Sequence, residues 1–209
     1  MGKDLRLLYA LVLCKDLEES VLNFKGVIKK ITVSIRMLTI GHSTKTIAEF
    51  VRLLQVGEVE RVIDIRKVPR SRTNPQFNRD VLGKKLKPFG IKYTYLEKLG
   101  GLQGKSKDIS PDVNGYWLNQ SFHNYADYAL TDAFREGLQE LLEFEKHERC
   151  AIMCSEAVWW SCHRRIVADY LIAQGKDVFH LMNEDQIEPA FLTEGAVILS
   201  RWKVVYPGE

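Results

Sequence analysis

The sequence lacks most of the features that assign a protein quickly. No run approaches about 18 consecutive apolar residues, so no membrane-spanning helix is expected. The patterns G-x-G-x-x-G, G-x-x-x-x-G-K-[ST] and H-E-x-x-H are absent, which removes the dinucleotide-fingerprint, P-loop and metalloprotease readings. There are only four cysteines, at positions 14, 150, 154 and 162, and the last three crowd one short stretch. That is not the spread of a secreted disulfide framework, so a reducing, cytoplasmic setting is expected. The leader Met1 to Cys14 faintly resembles a signal peptide, but its apolar run is short and broken by charge. No internal repeat or low-complexity tract is visible.

What is present fits an ordinary globular chain. An apolar share of 45% against 27% charged excludes overall disorder, and 209 residues can enclose the full core of one α/β domain. Met37-Leu-Thr-Ile-Gly-His-Ser looks like a fresh start, so residues 37–209 read as one domain and 1–36 as an N-terminal appendage. The appendage is either an over-long gene start or a helix packed on the domain. Net charge is only +3, yet residues 61–105 carry twelve Lys and Arg against Asp64, Asp80 and Glu97. That imbalance points to an anionic partner, a phosphate-bearing small molecule or nucleic acid; the plainer alternative is a solvated lysine-rich face.

Along the chain, a buried strand at 38–40 leads to a helix whose Thr46 and Glu49 fit a capping box. A second strand, Val59–Arg66, is β-branched and short, which favours a parallel, buried position. A proline-bearing loop follows from Lys67 to Phe77. Next come a short helix capped by Asn78, a strand at 91–96 and a long aperiodic stretch from Leu99 to about Gln120. Two helical patterns precede a strand at 151–154, a helix at 162–174 and a strand at 178–182; residues 194–205 suggest a last strand. Alternating strands and helices predict a mostly parallel sheet with helices on both faces.

Chemistry-bearing residues gather where strands end. Cys154, Ser155 and Glu156 close one strand and Cys162, His163 and Arg164 open the next helix, a junction whose backbone N–H groups favour anions and thiolates. Cys154 is the candidate nucleophile, with Arg164 lowering its pKa; a core cysteine is the plainer alternative. Glu156 is a candidate general base or ribose-holding carboxylate, and His42 a candidate partner for His163. Cys162 and His163, as neighbours on a helix, are expected to diverge. Ser43, Asp64, Arg66, Arg72 and Arg164 complete the expected ligand-binding set, with Arg66 alternatively pairing Asp64. Trp159 and Trp160 are candidate stacking contacts. Cys154, Cys162, His163 and His42 have zinc-compatible chemistry, but the spacing is not that of a zinc motif, so neither metal nor cofactor is assigned.

Together, Thr39-Ile-Gly-His-Ser43, Asp64-Ile-Arg66 with Pro69, Ser71 and Arg72, Leu99-Gly-Gly101, Met153-Cys-Ser-Glu156 and Cys162-His-Arg164 resemble the domain of unknown function 488 family over most of residues 37–182. The resemblance implies a small α/β fold and a set of recurrent positions, without an established reaction. More distantly, Asp64-Ile-Arg66 followed by a strand ending on Cys154 is similar in order to rhodanese and cysteine-phosphatase domains. Those have a tight Cys-x5-Arg loop, whereas Arg164 lies ten residues past Cys154. Three functions stay open: an enzyme-like domain with an anion pocket at the strand ends, a non-catalytic nucleic-acid-binding module using the 61–105 face, and a cysteine-dependent sulfurtransferase or phosphatase.

Overall fold

The first strand, β1 (Met37–Gly41), is buried along its whole length, as an uncharged Met-Leu-Thr-Ile segment covered on both faces must be. The structure, a computed structural model, describes residues 37–208, so the expected appendage at 1–36 lies outside the described residues. Helix α1 (Ile47–Val56) begins with the anticipated capping box: Glu49 N–H donates to Thr46 Oγ1 at 3.2 Å, and Thr46 N–H donates to the Glu49 carboxylate at 2.7 Å. Phe50, Val51, Leu53 and Leu54 form its buried stripe. Each such side chain withdrawn from water contributes roughly 1.5–3 kcal/mol.

Then come β2 (Arg61–Asp64), α2 (Arg79–Leu86), β3 (Lys92–Tyr95), α3 (Gln120–Tyr128), α4 (Asp132–Glu145), β4 (Cys150–Cys154), α5 (Arg164–Ala173), β5 (Val178–Asn183) and β6 (Gln186–Pro189). Asn119 and Thr131 cap α3 and α4 with side-chain oxygens. The sheet order is β3-β2-β4-β1-β5-β6. All pairings are parallel except β5 with β6, which the tight turn at 184–185 folds back antiparallel. Met37, Ile63, Cys150, Ile152 and Val178 share one core with Phe134, Leu138 and Leu141 of α4 and Ile166, Val167 and Leu171 of α5. On the opposite face α1 and α2 cover the alternate strand residues, as the approach of Leu38 and Leu181 to Gly57 at the end of α1 and of Tyr93 to Gly83 of α2 shows. Helices therefore lie on both faces of a mostly parallel sheet.

Residues 194–205 do not join that sheet as one strand. They form a separate two-stranded hairpin, β7 (Val197–Ser200) with β8 (Lys203–Val205), because the chain turns at Arg201–Trp202. Its far end docks on α5, where Tyr206 Oη donates to Asp169 Oδ2 at 2.8 Å and Tyr170 Oη donates to Val204 O at 3.2 Å.

The register sets Gly41 beside Cys154 and Asp64 beside Met153, so the segments after β1, β2 and β4 emerge together. From β2 the chain runs outward to β3, and from β4 it runs the opposite way, past β1 to β5. Such a divergence leaves a crevice at the strands' carboxyl ends, the usual ligand position of open α/β sheets.

Candidate functional site

Two glycines let the segments meet. A Cβ on Gly41 would fall 1.9 Å from the Glu156 carbonyl oxygen, so only glycine lets the loop after β4 lie against β1. That loop is held by His42 N–H donating to Cys154 O at 3.0 Å and Ser43 N–H to Ser155 O at 2.9 Å. A Cβ on Gly101 would approach His163 Nδ1 to 2.8 Å, so this glycine makes room for the ring.

Beneath the crevice lies a buried polar frame. Arg66 donates from Nε to Asp64 Oδ1 at 2.9 Å, and from Nη2 to Asp64 Oδ2 and to Phe77 O, both at 2.6 Å. Its Nη1 donates to His42 Nε2 at 3.1 Å, while His42 Nδ1–H donates to Ser43 O at 2.8 Å. His42 is therefore a neutral imidazole with both nitrogens engaged, stacked 4.3 Å from Phe77. Burial, aided by the Arg66 charge and opposed by the Ser43 carbonyl, lowers its pKa to about 4.

Above the frame, a cavity of about 330 Å³ is lined by Arg66, Lys67 and Val68 after β2, by Gly101 and Leu102, by Phe122 and Tyr125 of α3, and by Cys154, Glu156, Cys162 and His163. Its floor carries sulfur and nitrogen. His163 Nδ1 lies 3.9 Å from Cys154 Sγ and 3.7 Å from Cys162 Sγ. His163 Nε2 is 3.0 Å from Ile65 O, and because a carbonyl only accepts, Nε2 bears the proton. Arg164, 1% exposed, donates from Nε to Cys162 Sγ at 3.2 Å and from Nη2 to Glu156 O at 2.6 Å. The hydrogen bond with Cys162, then burial, pushes the Cys154 thiol above its ordinary value. At Cys162 burial opposes ionisation but is outweighed by that same bond and by Arg164, so its thiol is held below the usual value.

Several expectations are corrected by this geometry. Cys162 and His163 do not diverge: the helix starts at Arg164, Cys162 is extended at φ −131°, and both side chains turn to one point. Arg164 supports Cys162, not Cys154. His163 pairs with the thiols and Ile65, not with His42. Arg72 is exposed in the loop after β2 and does not line the cavity. Asp64, Ser43 and His42 serve the frame and the loop contacts. Of the expected site residues, Cys154, Glu156, His163 and Arg66 border the cavity, together with Cys162 and with Gly101 of the Leu99-Gly-Gly101 segment; Lys67 does so without having been singled out. Trp159 is spent on the sheet, stacked 4.4 Å from His180, with Nε1 donating to Glu188 at 3.2 Å. On the basic face, Arg61, Arg66, Lys67, Lys92 and Lys98 each meet an acidic side chain.

The fold and the cluster at its strand ends define an α/β domain with a cysteine- and histidine-floored cavity at the carboxyl edge of a mostly parallel sheet. A family model described as Domain of unknown function DUF488 matches residues 46–171, and the chain belongs to that family. No curated protein and no solved structure matches it. Among the described residues, no helix is long and apolar enough to cross a membrane.

Proposed function

We propose that residues 37–208 form an enzyme whose reaction centre is the Cys154, Cys162 and His163 cluster, working on a small polar or anionic molecule that enters the cavity beside Lys67. The observation that carries this reading is the convergence of two sulfurs and an imidazole nitrogen on the floor of one solvent-facing cavity, with a buried arginine committed to one of the sulfurs. A core cysteine needs no such partner. Lys67 supplies the attraction for an anion, since among the described residues its ammonium meets a carboxylate only at a long 3.7 Å, that of Glu97. Leu102, Phe122 and Tyr125 offer an apolar wall. The volume lies at the lower end of small-molecule sites. A cysteine-phosphatase-like role for Arg164 as oxyanion clamp is disfavoured, because its guanidinium is turned to Cys162 and the Glu156 carbonyl.

The test is alkylation of the folded, chelator-treated protein, in which a thiolate sulfur bonds to the reagent's carbon as iodide leaves. Iodoacetamide and its anionic counterpart iodoacetate are compared, with the modified cysteine located by peptide mass mapping. Cys162 or Cys154 should react at least ~10-fold faster than the buried Cys150, and Lys67→Ala should slow iodoacetate while sparing iodoacetamide. Modification only at the rate of unfolding would overturn the reading.

A further inference from the structure

We infer that Cys154, Cys162 and His163 form a metal-binding site for a zinc ion, with the fourth coordination position open to the cavity. This rests on the reading that the cluster is the reaction centre, and it names the chemistry that centre uses. The two Sγ atoms and the imidazole nitrogen all lie within 4.8 Å of one another. A tetrahedral zinc, with Zn–S of about 2.3 Å and Zn–N of about 2.0–2.1 Å, sets each S···N pair roughly 3.6 Å apart. The pairs here are 3.7 and 3.9 Å apart, so the donors need only small adjustments to close on an ion.

The surroundings orient the donors as a metal site requires. Ile65 O holds the Nε2 proton of His163, which fixes the tautomer and presents the Nδ1 lone pair to the sulfurs. Gly101 leaves room for the ring in that orientation. Arg164, buried and not among the residues that line the cavity, gives an N–H to Cys162 Sγ. Two thiolates and a neutral imidazole would balance a dication, and thiolate with imidazole selects zinc over the oxygen-seeking magnesium and calcium. Three protein ligands and one open corner match catalytic zinc sites, whereas structural sites close all four positions. All three residues line the cavity, so the open corner would be met by a molecule entering there. An ion there would supply Lewis acidity to a substrate oxygen or to water.

The full-length protein, stripped with chelator and titrated with zinc sulfate, is expected to bind one equivalent per chain. Cobalt(II) in its place should show the intense bands of tetrahedral coordination together with sulfur-to-metal charge transfer. Cys154→Ser, Cys162→Ser and His163→Ala should each weaken zinc by about 100-fold or more, beyond what outer-shell changes usually cost. Cys150→Ala should leave it unchanged. Absence of zinc binding, cobalt spectra without sulfur bands, or full affinity in Cys162→Ser or His163→Ala overturns the site. If a variant does not fold, the wild-type cobalt spectrum decides. Absent zinc binding with rapid alkylation of the stripped protein removes the metal site and leaves the reaction-centre reading standing. Zinc binding with no alkylation of the stripped protein sustains the site and removes the open thiolate entrance.

Discussion

Arg66 meets Asp64 through a two-pronged contact, Nε to Oδ1 at 2.9 Å and Nη2 to Oδ2 at 2.6 Å, with the arginine 5% exposed and the aspartate not at all. The pair is the keystone of the frame under the cavity, since Tyr93 Oη also donates to Asp64 Oδ2 at 2.6 Å and Arg66 reaches Phe77 O and His42. Removing one partner strands the other charge in the interior. Asp64→Ala is therefore expected to cost about 3–5 kcal/mol, measured by urea denaturation. Replacing both residues with apolar side chains of similar volume should cost less than the single change. A loss below about 1 kcal/mol in Asp64→Ala would contradict this account.

Acid should weaken the fold in two steps, the first shared by His42 and His180, whose pKa values burial lowers alike to about 4. His180 is 2% exposed, accepts or donates one hydrogen bond with Thr39 Oγ1 at 2.8 Å, and lies under Trp159. Burial, helped by the Arg164 charge, lowers its pKa to about 4 from 6.5. Between those values the unfolded chain binds a proton that the folded chain refuses. This contribution is thus complete above pH 6.5 and lost as pH falls toward 4, by about 3 kcal/mol at most. The second step lies lower. Glu148, held at about 2 by its hydrogen bond from Arg61, against burial and with Lys92 assisting, adds stability above its unfolded value of 4.5 that disappears as pH falls through 2. Thermal unfolding followed from pH 7 to 5 should show a falling midpoint in the wild type and a flatter profile in His180→Gln.

Much of this architecture was legible in the sequence because local signals and burial agreed. Thr46 and Glu49 announced a helix start, and the uncharged segments before Gly41 and Ser155, with the short β-branched stretch before Ile65, announced covered strands. The C-terminal hairpin was not, because the pattern from Val197 to Val205 reports strand character without saying which strand it pairs with. The candidate site was readable as a place but only partly as a geometry. An arginine after a strand suits a ligand or a buried carboxylate equally, and Arg66 and Arg164 went to partners inside the protein. Cys162 and His163 were misread for a specific reason. The apolar periodicity of α5 extends backward over them, while the extended backbone of Cys162, which brings both side chains to Cys154, depends on contacts with distant segments.

Gly41 carries a sharper prediction than its place at a strand end suggests. Its missing side chain is what admits the Glu156 carbonyl, and a backbone oxygen in a loop pinned by Ser43 and by Arg164 has little room to retreat. Gly41→Ala should cost about 3 kcal/mol or more, at or beyond the upper range for overpacking. Gly104→Ala, where a Cβ meets nothing within 4 Å, should change stability by under about 0.5 kcal/mol. Thermal denaturation of the two variants side by side separates a close-approach glycine from an ordinary loop glycine.

The basic face and the cavity make opposite predictions about polyanions. Of the twelve cations between 61 and 105, five face acidic partners within the chain, and Arg79 lies 4.3 Å over the Tyr95 ring. The remainder, Arg70, Arg72, Lys84, Lys85, Lys87 and Lys105, set the largest number of phosphates this face can neutralise without breaking an internal pair. A duplex held there should therefore show a slope of log K against log salt no steeper than about −5, with affinity in the non-specific range near 150 mM salt. Arg70→Ala with Arg72→Ala should make that slope shallower by about two. Cys162→Ser should leave it unchanged, because the cluster lies on the floor of the cavity and not on the face. Fluorescence anisotropy with a labelled duplex across a salt series measures both quantities. A steeper slope, or one altered by Cys162→Ser, would mean that nucleic acid enters the cavity itself, making a polynucleotide the substrate in place of a small molecule.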